Sequence, residues 1–426
     1  MNNPDTNRRS ERLSGISSAW GKLLEIEDRI FTQRNLQLYG FGIAWVLALL
    51  VGWLLFNGWI IGPDGRVRSI DFCWIWMSGK FAVSSNPALI YDPAAFTAAK
   101  RTFLGTGECR FLNFGYPPTL LFFTYSLGLL PYITAFAVWI VATTVLYLAA
   151  VYVIMPRPVA VIAALTPMAV PVNVLLGHNG FLTAGLIGLS LVFVERRPWL
   201  SGMFFGLLTY KPHFGILFPF VFLASRNWRV LASATAMSVL LGVAAGIEFG
   251  YQGWPSFIDL LHHRNSSLSP DGVDLTLQSV YGLLRWAGAS TWLSWIAHLT
   301  VAMVVAIAVC AVWASPIPQS LKAAIVCIGA VTVTPYVLQY DLCILSIAVA
   351  FLVKDGLSRG FLPGERTAIL ICLVGLLLWF AETPISPVVY AILLFLITRR
   401  IVAYRRREMG ERKDDAAFQA NAMVHH

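Results

Sequence analysis

The sequence has few charged residues. Charged side chains make up 12% of the 426 residues and hydrophobic ones 57%, whereas soluble domains carry about 25% charged residues. Such a chain cannot bury its apolar surface in one water-soluble core, so we expect a polytopic membrane protein. In lipid the backbone must satisfy its own hydrogen bonds, which leaves helices or a closed barrel. The long apolar runs lack period-two alternation and therefore predict an all-α fold.

Metal-binding patterns and internal repeats are also missing. The six cysteines form no CxxC pair and no zinc spacing, and no dense carboxylate cluster is present, so neither a metal nor a cofactor is expected. Cys73 and Cys109 fall in the same polar loop, where spacing alone does not decide whether they form a disulfide. The lack of a repeat argues against a polytopic transporter or lipid flippase, which we keep as the alternative function.

The basic residues lie mainly at the two ends of the chain. The net charge is +9, and arginines and lysines cluster in residues 1–37 and 399–426. The positive-inside rule predicts that both termini are cytoplasmic and that the number of spans is even. Membrane lipids, rather than nucleic acid, are the expected partners of these segments.

Apolar segments between residues 38 and 398 predict a transmembrane domain of about twelve helices, since ~20 apolar residues suffice for one span. Two polar loops, at about 61–115 and 250–290, interrupt this domain and are expected on the outer face. Two short helices along the membrane surface are expected in the first loop, at about 72–84 and 93–104.

The middle of the chain allows two topologies. Simple counting treats 199–224 as one span and puts Arg196 and Arg197 outside, which conflicts with the positive-inside rule. In the alternative, Lys211-Pro-His213 is the tip of a hairpin of two half-length helices. That arrangement requires that one other apolar segment does not cross the membrane, as would be the case if 116–131 were re-entrant. Broken helices of this kind line polar cavities.

Polar residues interrupt the apolar segments at a few places. Ionisable groups in a membrane are costly, which makes them candidates for function. The candidates are Asp71, His178, Asn179, Lys211, His213, Tyr336, Gln339, Tyr340 and Asp341, with Arg285 in the second loop. Lysine, arginine and histidine bind phosphate, and a nearby carboxylate can take a proton from a hydroxyl. The set therefore predicts a shared cavity for a polar, anionic substrate.

Several of these residues also have a purely structural interpretation. Asp71 could be only the N-cap of a short helix, and His178 a satisfied core histidine. Asp341 could be a structural partner of Lys211 or of Arg285, and Arg285 could lie on the polar face of a surface helix.

The chain resembles glycosyltransferase family 87, the polyprenol-phosphate-mannose-dependent mannosyltransferases of the GT-C superfamily. The motifs that carry the resemblance follow one another between about residues 70 and 341. They are Asp71, Asn86-Pro-Ala-Leu-Ile-Tyr-Asp92, Tyr116-Pro-Pro118, Gly177-His-Asn, Lys211-Pro, and Thr334-Pro-Tyr with Tyr340-Asp-Leu342.

The resemblance implies a GT-C helical bundle with its active site on the outer face. Asp71 would deprotonate an acceptor hydroxyl, which would attack the sugar with inversion and expel polyprenyl phosphate. Lys211, Arg285 and His178 would hold the donor phosphate. The pocket for sugar and acceptor would be formed by Tyr116, Asn179, His213, Tyr336, Gln339, Tyr340 and Asp341.

The motifs depart from the family pattern at two places. Relatives often have Gly-Gln-x-Asn where this chain has Gly177-His-Asn-Gly180, and some carry a histidine where it has Gln339-Tyr-Asp341. Because of these departures, mannose is only the family default for the donor sugar. The acceptor stays open between a glycolipid, a polysaccharide end, a hopanoid-like lipid and a protein.

Overall fold

A computed structural model describes residues 21–63, 67–68, 70–104, 114–266, 276–377 and 384–424. Over these ranges the chain is helical and forms no strand, apart from an isolated bridge between Ile61 and Val67. The predicted all-α class is confirmed. The structure places Cys73 in a disulfide, and Cys109, the partner considered from the sequence, lies outside the described ranges.

The helices are numbered in chain order. They are α1 (21–30), α2 (Gln33–Phe56), α3 (Phe72–Ala82), α4 (Pro93–Leu104), α5 (Leu120–Gly128), α6 (Tyr132–Ile154), α7 (Pro158–Ala164), α8 (Ala169–Leu176), α9 (Gly180–Phe193), α10 (Pro198–Gly206), α11 (Leu217–Ala224), α12 (Trp228–Glu248), α13 (Gly253–Ser266), α14 (Val280–Trp286), α15 (Thr291–Ala314), α16 (Gln319–Val333), α17 (Cys343–Arg359), α18 (Glu365–Leu377) and α19 (Ser386–Val424). The two short helices expected in the first loop are present as α3 and α4.

Long apolar helices make the chain a multi-pass membrane protein. Within the described ranges, five helices are long and apolar enough to cross a membrane, namely α2, α6, α12, α15 and the first part of α19. The helices α7 and α8 would add a sixth span if the pair, bent by 66°, crosses as one. The count of about twelve spans stays a prediction.

The bundle has two chemically different ends, which we call the site end, where Asp71 lies, and the basic end, where Arg400 lies. The 14-residue helix α9 starts at the site end and rises about 1.5 Å per residue, so it covers roughly 21 Å before it ends. At the basic end, the carboxylate of Glu27 accepts hydrogen bonds from the backbone N–H groups of Gly364 and Thr367. The N-terminal helix α1 and the start of the C-terminal tail therefore lie at the same end.

The contacts around Lys211 favour the hairpin topology. The Lys211 ammonium donates to Asn179 at the start of α9. At the other end of α9, the start of α10 contacts the first part of α12, where the hydroxyl of Ser233 donates to the carbonyl of Trp199 at 2.6 Å. The prediction of one span at 199–224 is wrong, because short helices α10 and α11 are separated by 3₁₀ turns at Leu207–Tyr210 and Pro212–Phe214. The physical reason is that Pro212 lacks a backbone N–H and the ammonium needs polar partners.

The segment that contains α5 returns to the end from which it started. At its beginning, the carbonyl of Tyr116 accepts from the hydroxyl of Tyr91, and at its end the carbonyl of Leu130 accepts from the indole of Trp76. Both partners belong to the first loop, so 116–131 has the re-entrant course of the hairpin topology, and the prediction of a span over 116–130 is wrong.

Two further helices end later in the chain than the sequence predicted. The helix predicted at 341–353 continues to Arg359, and the last predicted span, 384–398, continues as α19 to Val424. The boundary at residue 399 therefore marks a change in composition and not the end of a helix.

The orientation of α3, and with it Asp71, depends on two glycines. A Cβ on Gly128 would lie 2.1 Å from the carbonyl oxygen of Gly79, and a Cβ on Gly79 would lie 2.4 Å from the carbonyl oxygen of Thr124. The backbones of α3 and α5 are therefore in direct contact. Beside the crossing, the hydroxyl of Ser78 donates to that of Thr124 at 2.9 Å.

We predict that Gly128→Ala destabilises the protein, because the new methyl group has no space between α3 and α5. Overpacking of this kind costs about 1–3 kcal/mol. Thermal unfolding of the detergent-purified protein measures the effect. Gly52→Ala in α2 is the matched control, since a Cβ there meets nothing within 4 Å. Equal melting temperatures for the two variants would contradict the prediction.

Candidate functional site

The loop Gly177-His-Asn-Gly180 joins α8 to α9 and is held by an unusually close backbone approach. Gly177 has a φ of 71°, and a Cβ there would lie 2.5 Å from the Cβ of Phe72. A Cβ on Gly180 would lie 2.0 Å from the carbonyl oxygen of Tyr340. Glycine at both positions lets the loop contact the start of α3 on one side and the segment before α17 on the other.

Asn173 ties these segments together. Its side-chain oxygen accepts from the backbone N–H of Gly180 at 2.9 Å, and its amide donates to the carbonyls of Ala169 and Tyr340, each at 2.8 Å. The sequence analysis missed this residue, although the signal was there: Asn173 is a polar residue inside the apolar segment 158–176, and the same criterion selected His178.

Asp71 does not act as a helix cap. It precedes α3, but its side chain makes no capping hydrogen bond. Its Oδ2 atom instead lies 3.2 Å from Nε2 of His178. The Asp71 side chain is 16% exposed and that of His178 is 3% exposed, so the carboxylate is the part of this pair that solvent or substrate can reach.

Aromatic rings enclose His178. Its ring stacks on that of Tyr340 with centroids 3.3 Å apart, and the ring of Trp74 approaches it at 5.5 Å in an edge-to-face arrangement. Trp74 in turn stacks on Tyr116 at 4.5 Å. The indole N–H of Trp139 donates to the backbone carbonyl of His178 at 3.2 Å. Trp74 and Trp139 are further residues that the sequence analysis did not select.

A buried ion pair lies beside this aromatic group. The ammonium of Lys211 pairs with Oδ1 of Asp341 and donates to the side-chain oxygen of Asn179 at 3.0 Å. The other oxygen of Asp341 accepts from the backbone N–H of Leu338 at 3.1 Å. Of the two partners considered for Asp341, the structure therefore shows Lys211. The same ammonium lies 4.8 Å from the ring of Tyr340, which joins the ion pair to the aromatic group.

The remaining candidates lie at different distances from this centre. The carbonyl of His213 accepts from the hydroxyl of Thr334 at 2.9 Å, and its ring approaches Tyr336 at 6.5 Å. Gln339 is buried in the 3₁₀ turn that carries Tyr340 and Asp341.

The guanidinium of Arg285 donates to the carbonyl of Ala289, just past the end of its own helix α14, at 2.8 Å. That local contact agrees with the structural interpretation of Arg285, and its role in phosphate binding stays a prediction. In the part of the chain that the structure describes, no group of three or more His, Cys, Asp or Glu side chains is placed to hold a metal ion.

Comparison with known families identifies the chain. The family model of glycosyltransferase family 87 matches residues 114–338, which is more than half of the sequence. The chain belongs to glycosyltransferase family 87. The resemblance seen in the sequence is thereby confirmed, and this family 87 protein is a membrane glycosyltransferase that uses a sugar donor and an acceptor. No curated protein and no solved structure matches the chain.

The matched range covers the centre of the site but not all of it. It contains the loop 177–180 and Lys211, whereas Asp71 precedes it and Tyr340 and Asp341 follow it. Contacts in this family 87 protein join those outlying residues to the matched centre. Asp71 contacts His178, Asp341 pairs with Lys211, and Tyr340 contacts both His178 and Lys211.

We predict that Asn173→Ala destabilises the site end. The substitution leaves the N–H of Gly180 and the carbonyl of Tyr340 buried without this partner, and an unsatisfied buried polar group costs about 1–3 kcal/mol. Thermal unfolding measures the loss, with the exposed Asn57→Ala as control. The interpretation of Asn173 is wrong if both variants melt at the temperature of the wild type.

Proposed function

We propose that this family 87 protein transfers a hexose, with mannose as the first candidate, from a polyprenyl-phosphate donor to an acceptor hydroxyl. In this proposal the transfer inverts the anomeric configuration, Asp71 is the general base, and no metal cofactor takes part. The observation that carries the proposal is the difference between the two carboxylates of the site. Asp71 is partly exposed and does not cap its helix, whereas Asp341 is buried and engaged by Lys211 and Leu338.

The reaction needs one proton acceptor and one site for a developing negative charge. Asp71 takes the proton of the acceptor hydroxyl while the hydroxyl oxygen attacks the anomeric carbon. The bond between that carbon and the phosphate oxygen breaks, and its electron pair stays with the leaving polyprenyl phosphate. The acceptor becomes glycosylated, Asp71 holds the proton, and the phosphate gains one negative charge.

Lys211 is suited to stabilise the leaving phosphate. An ammonium has three N–H donors, and in the described part of the chain two of them are engaged, by Asp341 and Asn179. We assign the third to a phosphate oxygen of the bound donor, because a hydrogen-bond donor that is already in place stabilises developing charge most effectively. Arg285 is the second candidate for this phosphate site.

The polar atoms around the aromatic group support a sugar pocket. Among the described residues, the amide oxygen of Gln339 and Nε2 of His213 are buried without a hydrogen-bond partner. Buried polar atoms are normally paired, and sugar hydroxyls can both donate to and accept from these atoms. Aromatic walls with a few convergent polar groups are typical of small-molecule sites, and Tyr116, Tyr336 and Tyr340 are the aromatic residues that we assign to the walls.

The orientation in the membrane follows from the distribution of charge. The arginines of α19 lie at the basic end, and the positive-inside rule predicts that this end and both termini are cytoplasmic. The site end then faces the outside, within a GT-C bundle of about twelve spans in the cell membrane. The acceptor stays open between a glycolipid, a polysaccharide end, a hopanoid-like lipid and a protein.

We predict that Asp71→Asn lowers sugar transfer by about 10²- to 10⁴-fold, the range that a positioned general base contributes. Purified protein in nanodiscs is given polyprenyl-phosphate mannose and a crude membrane lipid extract, and labelled mannose in the product is counted. Asp92→Asn is the matched control, because Asp92 is in the same loop but only caps α4 through Ala95.

Each part of the proposal has its own contrary result. Transfer by Asp71→Asn at the wild-type rate would show that Asp71 is not the base. A folded wild type that consumes another polyprenyl-phosphate hexose but not the mannose donor would exclude mannose alone. A folded wild type that consumes no lipid-linked sugar would exclude the donor class.

A further inference from the structure

The proton between Asp71 and His178 can be located from their chemistry. Nε2 of His178 lies 3.2 Å from Oδ2 of Asp71. An ionised carboxylate can only accept a hydrogen bond, so Nε2 must carry the proton and donate it. This nitrogen is occupied by Asp71 and cannot also hold an oxygen of the donor phosphate.

The other ring nitrogen indicates that the imidazole is neutral. Nδ1 of His178 is buried and has no hydrogen-bond partner among the described residues. A proton on Nδ1 would give a buried cation with an unpaired donor, which is costly. Lys211 and Asp341 face the ring across Tyr340 and largely cancel each other as an ion pair, so the charge that directly contacts the imidazole is that of Asp71.

The imidazole is held in a fixed orientation. Tyr340 stacks on one face of the ring, and Trp74 packs against it in an edge-to-face arrangement. The backbone of His178 is fixed by Trp139 and by the close contacts of Gly177 and Gly180. The N–H of Nε2 therefore points at one carboxylate oxygen, Oδ2, and Oδ1 is the carboxylate oxygen that this hydrogen bond does not use.

We propose that His178 is a positioning residue for Asp71: its Nε2–H holds Oδ2 and presents Oδ1 to the acceptor hydroxyl. This inference rests on the proposed role of Asp71 and replaces the expectation that His178 binds the donor phosphate. The proton of the acceptor goes to Oδ1, and His178 keeps its own proton throughout. A base that is displaced by about 1 Å can lose roughly 10²-fold in rate, which is the size of effect expected when this hydrogen bond is removed.

Two amides test the proposal because they differ in reach. The amide nitrogen of His178→Gln can occupy the position of Nε2 and keep the donor, whereas that of His178→Asn corresponds to Nδ1 and falls short of Oδ2. We expect His178→Gln to keep most of the wild-type kcat and His178→Asn to lose about 10²-fold, with the donor KM unchanged in both. Transfer of labelled mannose in nanodiscs is the assay, and thermal unfolding checks the fold of each variant.

The pH profile gives a second readout that a purely structural role would not move. A hydrogen bond donated to the carboxylate favours its charged form. Without that donor, the acid-side fall in kcat/KM of His178→Asn should begin at higher pH than in the wild type and in His178→Gln. The other charged groups near the ring, Asp341 and Lys211, are the same in all three proteins.

The possible outcomes separate the alternatives. An unchanged kcat in folded His178→Asn, or a loss equal to that of folded His178→Gln, would overturn the proposal. A higher donor KM with a wild-type kcat in the His178 variants would indicate instead that His178 binds the donor phosphate. If His178→Asn does not fold, His178→Gln decides alone, because glutamine can donate a hydrogen bond but cannot exchange a proton as imidazole does. Retention of most of the wild-type kcat would then support the proposal, and a large loss of kcat in the folded variant would overturn it. Transfer by Asp71→Asn at the wild-type rate would instead refute the proposed function itself.

Discussion

The site depends on one steric constraint, the absence of a Cβ at both ends of the loop 177–180. Gly177 lets the loop touch Phe72 at the start of α3, and Gly180 lets it touch the carbonyl of Tyr340. Three segments that are distant in sequence can therefore meet without intervening side chains. Asn173 then closes the contact with hydrogen bonds to Gly180 and Tyr340. The position of Asp71 relative to His178 follows from this arrangement.

Buried charge is paired at both ends of the bundle, but with different consequences. At the basic end, Arg400 pairs with Asp355 and Glu365, all three of them buried. Removing one partner from a buried pair costs several kcal/mol, so this cluster fixes α17, α18 and α19 relative to one another. At the site end, two described residues, Asp341 and Asn179, accept from the Lys211 ammonium. Tyr340 and His178 connect this pair to the partly exposed Asp71.

Broken helices are the means by which a membrane protein can hold such a site. The backbone is irregular at 177–179, between α10 and α11, and between α16 and α17. Irregular backbone is tolerated at membrane depth only where it is buried in protein or lines a cavity. All three breaks meet at the site end, where each supplies side chains to the same cluster: His178, Lys211 and Asp341.

The sequence by itself determined the class of the protein, the family and most of the polar residues that the structure brings together. Low charge and long apolar runs require a helical membrane protein, and a polar residue in an apolar segment is visible without a structure because its burial is costly. The short helices α3 and α4 were also predictable. Tertiary structure decided the re-entrant course of 116–131, the choice of Lys211 over Arg285 as the partner of Asp341, and the orientation of His178 toward Asp71. Those features depend on contacts between residues that are 25 to 130 positions apart in the chain. Such contacts leave no trace in local composition or periodicity.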